Sequence, residues 1–105
     1  MAVLTTTGRR SGRPRRVAVG FVDEPDGSIL VAAGDTAVWA SNLEADPRCQ
    51  VEIGERRFDA LAEPLDRREH SAAVAGLILR YGTPAERLGR GPSFRLRPAI
   101  AEAPR

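Results

Sequence analysis

The chain has 105 residues, room for one domain and no second core. Its 16 basic residues are all arginine, which excludes Schiff-base or lysine-base chemistry and a phosphate-loop lysine, and a net charge of only +2 argues against a general polyanion binder. One cysteine, Cys49, and one histidine, His70, exclude a disulfide framework and a zinc or iron centre built on thiolates or imidazoles.

Residues 3–7 read as a strand of β-branched side chains that ends at Gly8. Residues 8–14, with two glycines and a proline, read as a loop. Residues 15–22 alternate, with Val17, Val19 and Phe21 on one face of a half-buried strand. The turn DEPDG follows at 23–27, and residues 28–33 return as a strand, so the two are expected to form a hairpin. Gly34 opens a short helix with Asp35 or Thr36 as N-cap, bearing Val38, Trp39, Asn42 and Leu43 at helical spacing and stopped by Asp46-Pro47. Cys49, Val51 and Ile53 alternate on the next strand, Gly54-Glu55 turns, and residues 56–63 return.

The clearest helix spans residues 66–81. Asp66 caps it, Glu69 stands three residues on, and Val74, Leu77, Ile78 and Tyr81 form one stripe. Residues 82–92 read as a loop with a helical turn, residues 93–97 as a last strand, and the tail from about residue 99 as frayed. The order β, β, β, α, β, β, α, β with tight hairpins rejects a parallel βαβ sheet. A single α+β domain over residues 1–105, mainly β, is expected: a small antiparallel barrel or roll with helices packed at its ends. No stretch is long and apolar enough for a membrane span and the start lacks a signal-peptide core, so a soluble cytoplasmic protein is expected. A chain this short leaves one barrel face poorly covered, which suggests a homodimer.

The run LTTTGRRSGRPRR, residues 4–16, concentrates the candidate chemistry. Gly8 and Gly12 would let backbone N–H groups converge on an anion. Thr5, Thr6, Thr7 and Ser11 add hydroxyls, and Arg9, Arg10, Arg13 and Arg15 add planar guanidinium forks suited to phosphate or carboxylate. From composition the run reads first as a solvated basic loop, and otherwise as such an anion site or, last, as a nucleic-acid-binding arm. Trp39 reads first as core, Asn42 as a bridge between backbone groups, Cys49 as a small core residue, and His70, in DRREH, as solvent-exposed. Tyr81 is open between packing and a substrate-facing hydroxyl. No carboxylate pair is placed as an acid–base dyad, so an enzyme built on this chain would leave the hard step to a cofactor.

The same run resembles the signature L-T-T-T-G-R-[RK]-S-G-x-P-R of the deazaflavin-dependent nitroreductase family, which uses coenzyme F420. The resemblance continues through VAVGFVDEPDGSILVAAG and VWASNLEADPRCQVEIG, and weakens from DRREHSAAVAGLILRYG onward. It implies a split antiparallel β-barrel of the flavin-binding superfamily, with two or three short helices, and a deazaflavin-dependent reductase. Carried over by position, Arg9, Arg10, Ser11, Gly12 and Arg15 would bind the coenzyme's phosphate and acidic tail. Ala32, Ala33 and Gly34 would run beside the ring through main-chain contacts, and Val38 and Trp39 would sit near it. Tyr81 would line the substrate side and is the candidate catalytic residue. The implied cofactor is F420, with FMN the alternative. The implied partner is a small electron acceptor (a quinone, nitro compound or activated alkene), with no nucleic acid. The competing readings are a non-catalytic split-barrel protein binding FMN or another flavin or tetrapyrrole-like ligand, and a small arginine-rich nucleic-acid module.

Overall fold

A computed structural model describes residues 1–34 and 37–99. Seven strands, β1 (Ala2–Thr7), β2 (Pro14–Val19), β3 (Val22–Asp23), β4 (Ile29–Ala32), β5 (Arg48–Ile53), β6 (Arg56–Pro64) and β7 (Ser93–Pro98), form one antiparallel sheet in the order β2-β1-β5-β6-β7-β4-β3. Helix α1 (Val38–Ala45) lies between β4 and β5. Helix α2 (Arg67–Tyr81) and a 3₁₀ stretch (Thr83–Arg90) lie between β6 and β7.

The outermost strands of that order, β2 and β3, are separated in the chain only by Gly20 and Phe21. Two edges joined by so short a link must approach each other, so the sheet curls into the expected split barrel. Here the structure corrects the expected first hairpin. Residues 14–19 pair back onto β1, from Thr7 opposite Pro14 to Ala2 opposite Val19, while only Val22 and Asp23 pair with β4. The physical reason is a bend at Gly20. A Cβ there would lie 2.9 Å from Cε2 of Tyr81, whose ring fills the space beside the bend. The Tyr81 hydroxyl accepts the Phe21 N–H at 3.2 Å, and the Arg80 guanidinium covers the Phe21 ring at 4.4 Å and donates to the Phe21 carbonyl at 3.1 Å.

The inward face carries Leu4, Val19, Phe21, Ile29, Val31, Val51, Phe94 and Leu96, closed at one mouth by Ala40 and Leu43 of α1. A second, smaller core lies outside the barrel wall, where Val74 and Leu77 of α2 pack with Ala32 and Ala85. All four residues of β4 are therefore buried, which explains why SILVAA runs apolar without alternation.

Asp66 caps α2 as expected, accepting the Glu69 N–H at 2.8 Å. The N-cap position of α1 is Ala37, with no side-chain bond, and the expected caps Asp35 and Thr36 lie outside the described residues. Residues 100–105 of the expected frayed tail also lie outside them, whereas the Ala99 N–H is tied to the Asp59 carbonyl at 2.8 Å. Among the described residues, no helix is long and apolar enough to cross a membrane.

Candidate functional site

Antiparallel pairing of β1 with β2 lifts residues 8–13 out as a loop, and its hydrogen bonds are mostly with itself. The Gly8 N–H donates to the Arg13 carbonyl at 2.8 Å, and the Gly12 N–H to the Gly8 carbonyl at 2.8 Å. The Arg13 N–H donates to Ser11 Oγ at 3.1 Å. Gly12 supplies the left-handed residue that the turn requires, at φ 72°. The loop glycines thus close the turn instead of aiming their amides outward, a correction to the expected convergence at Gly8 and Gly12. The amides of Arg10 and Ser11 have no hydrogen-bond partner among the described residues.

One further loop amide is held from outside. Arg9 N–H donates to Asn42 Oδ1 at 3.1 Å, and Asn42 Nδ2 donates to Thr6 Oγ1 at 3.2 Å. Both Asn42 and Thr6 are 2% exposed, so this polar chain crosses the barrel mouth with its partners satisfied. Asn42 bridges backbone and side chain inside the fold, as its sequence context suggested. That it joins the loop to α1 was not legible, because a contact spanning 33 residues leaves no local pattern.

Between the loop and α1 lie two adjoining grooves. One, of about 150 Å³, is lined by Gly8, Arg9, Arg10, Ser11, Arg15, Val38 and Asn42. The other, of about 360 Å³, is lined by Arg15, Arg16, Val17, Val38, Trp39 and Asn42. Arg15 reaches them because it shares the inward face of β2 with Val17, opposite Thr6 of β1. Among the described residues, every ionisable residue lining either groove is an arginine. Among the described residues, Arg9, Arg10, Arg13 and Arg15 have no carboxylate within salt-bridge distance, and Arg16 stands 3.6 Å from Glu52 Oε1. Guanidiniums gathered on a concave surface, with Arg9, Arg10 and Arg15 unpaired among the described residues, form a site of positive potential suited to an anion.

The structure thus brings together Arg9, Arg10, Ser11, Arg15, Val38 and Trp39 of the expected site, with Gly12 shaping the loop. Val38 is 62% exposed, while Trp39 is half-buried against Phe94, ring centroids 6.3 Å apart, so it serves core and groove at once. The others lie elsewhere. Ala32 and Ala33 are buried and line neither groove, Ala32 packing against α2 and the Ala33 N–H donating to the Pro92 carbonyl at 2.8 Å. Gly34 accepts the Ala37 N–H at 3.1 Å. Tyr81 is in neither groove. It holds the β2–β3 bend, its hydroxyl oxygen accepting the Phe21 N–H.

His70 departs from its expected exposure. Its Nδ1 lies 2.7 Å from Ser93 Oγ and its Nε2 2.9 Å from the Gly89 carbonyl, so it staples α2 to β7 and the 3₁₀ stretch. Cys49 is core, as expected; burial, reinforced by the charge of Asp59, pushes its thiol up to about 11. A larger hollow of about 580 Å³ lies on the other side of the loop, lined among others by Thr5, Thr7, Pro14, Asp59 and Leu61. It carries both charge signs, and its Arg48 is already paired with Asp46 at 2.9 Å, so it lacks the unopposed cations of the paired grooves.

The model of the F420H(2)-dependent quinone reductase family matches residues 1–82. The chain belongs to this family. The quinone reductase Rv1261c of Mycobacterium tuberculosis and the putative quinone reductase Mb1292c of Mycobacterium bovis, both named F420H(2)-dependent, are each 31% identical to it over 67 residues. That alignment takes in 60% of this chain and 45% of each relative, so the chain spans less than half the length of the curated family members it matches. Among solved structures, an F420-H2 dependent reductase, FDR-A, superposes with a TM-score of 0.78 at 25% identity, covering 91% of this chain and 92% of its own. HutZ, a heme storage protein from Vibrio cholerae, superposes with a TM-score of 0.77 at 25% identity, covering 95% and 82%. A domain-swapped dimer matches at TM-score 0.77 and 25% identity, covering 91% and 78%.

Proposed function

We propose that this family member is an oxidoreductase that binds reduced coenzyme F420 and reduces a small electrophilic acceptor: a quinone, a nitro compound or an activated alkene. The observation that carries the reading is the pair of grooves between the arginine loop and α1, in which arginine is the only ionisable residue among those described. The coenzyme's phosphate and glutamyl carboxylates are the anions such a lining would take. Arg9, Arg10 and Arg15 hold that tail, helped by the Ser11 hydroxyl and by the two loop amides that have no partner in the described chain. Val17, Val38 and Trp39 present an apolar wall in the adjoining groove, against which a planar ring can lie. When bound, the reduced deazaflavin supplies a hydride. The protein's part is to fix the distance and exclude water from the ring face. The acceptor's proton comes from water, since Tyr81 lines neither groove, and Ala32, Ala33 and Gly34 belong to the strand end that leads toward α1.

The family's name favours F420 over FMN, and titrating the protein with each while following fluorescence separates them. Reduction of menadione by the protein in the presence of reduced F420 tests the activity. A tetrapyrrole ligand, suggested by the likeness to HutZ, finds no free imidazole here, because both His70 nitrogens are engaged away from the grooves. We also propose a homodimer in the cytoplasm. Size-exclusion chromatography with light scattering checks the first, and fractionation the second.

A further inference from the structure

Among the described residues, Asn42 is the one uncharged polar residue common to both grooves, and its side chain joins the elements that form them. Its amide orientation is settled by its partner: the Arg9 N–H can only donate, so the atom facing it at 3.1 Å is the oxygen. The nitrogen then points to Thr6 Oγ1 at 3.2 Å, on the inward face of β1 where Thr6 pairs with Arg15 of β2. The amides of Gly8, Gly12 and Arg13 are consumed within the loop and that of Arg9 by Asn42. Arg10 and Ser11 remain with N–H groups unclaimed by the described chain, beside the guanidiniums that line the smaller groove.

We infer that Asn42 is a positioning residue, a buried latch that holds the arginine loop against α1 in the shape that binds an anion. Without it the Arg9 amide loses its acceptor at the barrel mouth, and among the described residues no other hydrogen bond ties the loop to α1. The inference rests on the anion-site reading under Proposed function, and it concerns loop geometry, not the redox chemistry.

The test uses two ligands, inorganic pyrophosphate and F420, titrated into the wild type, Asn42→Ala and Thr6→Val. Each is also titrated into Arg10→Ala, with and without Asn42→Ala. Asn42→Ala is expected to weaken both ligands about tenfold, the weight of one well-made hydrogen bond at a charged site. Thr6→Val, which keeps the shape but removes the acceptor that orients the Asn42 amide, is expected to weaken them about threefold. A general loosening of the fold would cost the same factor in either background. A latch acting through the arginines costs less than about twofold once Arg10 is gone. Backbone amide exchange supplies a readout without ligand: Arg9 exchanges about tenfold faster in Asn42→Ala while Leu4 and Val51 are unchanged. Wild-type affinity in Asn42→Ala, equal losses in both backgrounds, or an unaltered Arg9 amide overturns the inference. If Asn42→Ala does not fold, unaltered affinity in Thr6→Val overturns it. Binding of pyrophosphate but not F420 by the wild type sinks the proposed function and leaves the latch to be decided by the pyrophosphate series. Binding of neither overturns both.

Discussion

Placing a methyl group at Gly20 tests how the barrel closes, and so what presents β2 and its arginines to the groove. A Cβ at this position would lie 2.9, 3.2 and 3.3 Å from three atoms of the Tyr81 ring. The ring cannot easily retreat, since its hydroxyl is bonded to the Phe21 N–H and the Arg80 guanidinium lies over it 5.5 Å from the centroid. Gly20 is not among the glycines with positive φ, so the expected cost is steric and not conformational. Overpacking of this kind costs about 2 kcal/mol, or about 10 °C of Tm in a domain this size. Tyr81→Ala alone is expected to cost about 2 kcal/mol, through lost packing and the lost acceptor, for a ring that is partly exposed. With the ring gone, Gly20→Ala should become neutral or stabilise by about 0.5 kcal/mol, because alanine restricts the unfolded chain more than glycine does. The coupling in a double-mutant cycle read by urea unfolding is thus about 2 kcal/mol or more. An equal cost for Gly20→Ala in both backgrounds, or a wild-type midpoint for Gly20→Ala alone, would refute the steric account of the bend.

Other consequences are open to measurement. Arg95 joins β7 to the β3–β4 turn and to α2, bonding Glu24 at 2.7 Å and Glu69 at 2.8 Å. Arg95→Ala leaves two carboxylates facing each other and should lower stability by about 2 kcal/mol, discounted from a buried pair because Glu69 is partly exposed; Glu24→Gln should cost less, and a thermal melt ranks them. Gly12→Ala meets nothing within 4 Å, so its cost is the left-handed backbone alone, about 1 kcal/mol, with no change in unfolding cooperativity. Cys49, pushed up to about 11, should stay almost unreactive to a thiol reagent at pH 8 until the protein unfolds. An acid whose pKa is raised on folding binds its proton longer in the folded state, so this thiol makes stability fall as pH rises through the window from about 9 to about 11, and Cys49→Ala removes that part of the slope.

The sequence carried the local elements well, since alternation, caps and breakers are short-range physics. Asp66 with Glu69, Asp46-Pro47 and the Gly54-Glu55 turn stand where their chemistry puts them. It misled where one apolar run serves two pairings. Residues 15–22 alternate as one strand would, yet they divide at Gly20 because Tyr81, some 60 residues away, occupies the space beside it. The glycines of the arginine loop were legible as a turn, but not which amides the turn would consume, because that depends on the Gly8–Arg13 closure and on Asn42 arriving from α1. His70 looked solvated in a charged stretch, and only the fold of residues 83–93 over α2 gives it two partners.

The account depends most on the arginine loop gripping an anionic redox cofactor. The direct measurement is a fluorescence titration of F420 into the wild type and into Arg9→Ala with Arg10→Ala, with melting temperatures in parallel. Loss of two charge-assisted contacts should weaken binding about a hundredfold, with the Tm unchanged to within a few degrees because neither side chain has a carboxylate partner among the described residues. Equal F420 affinity in the two proteins, or no binding by the wild type, would contradict it.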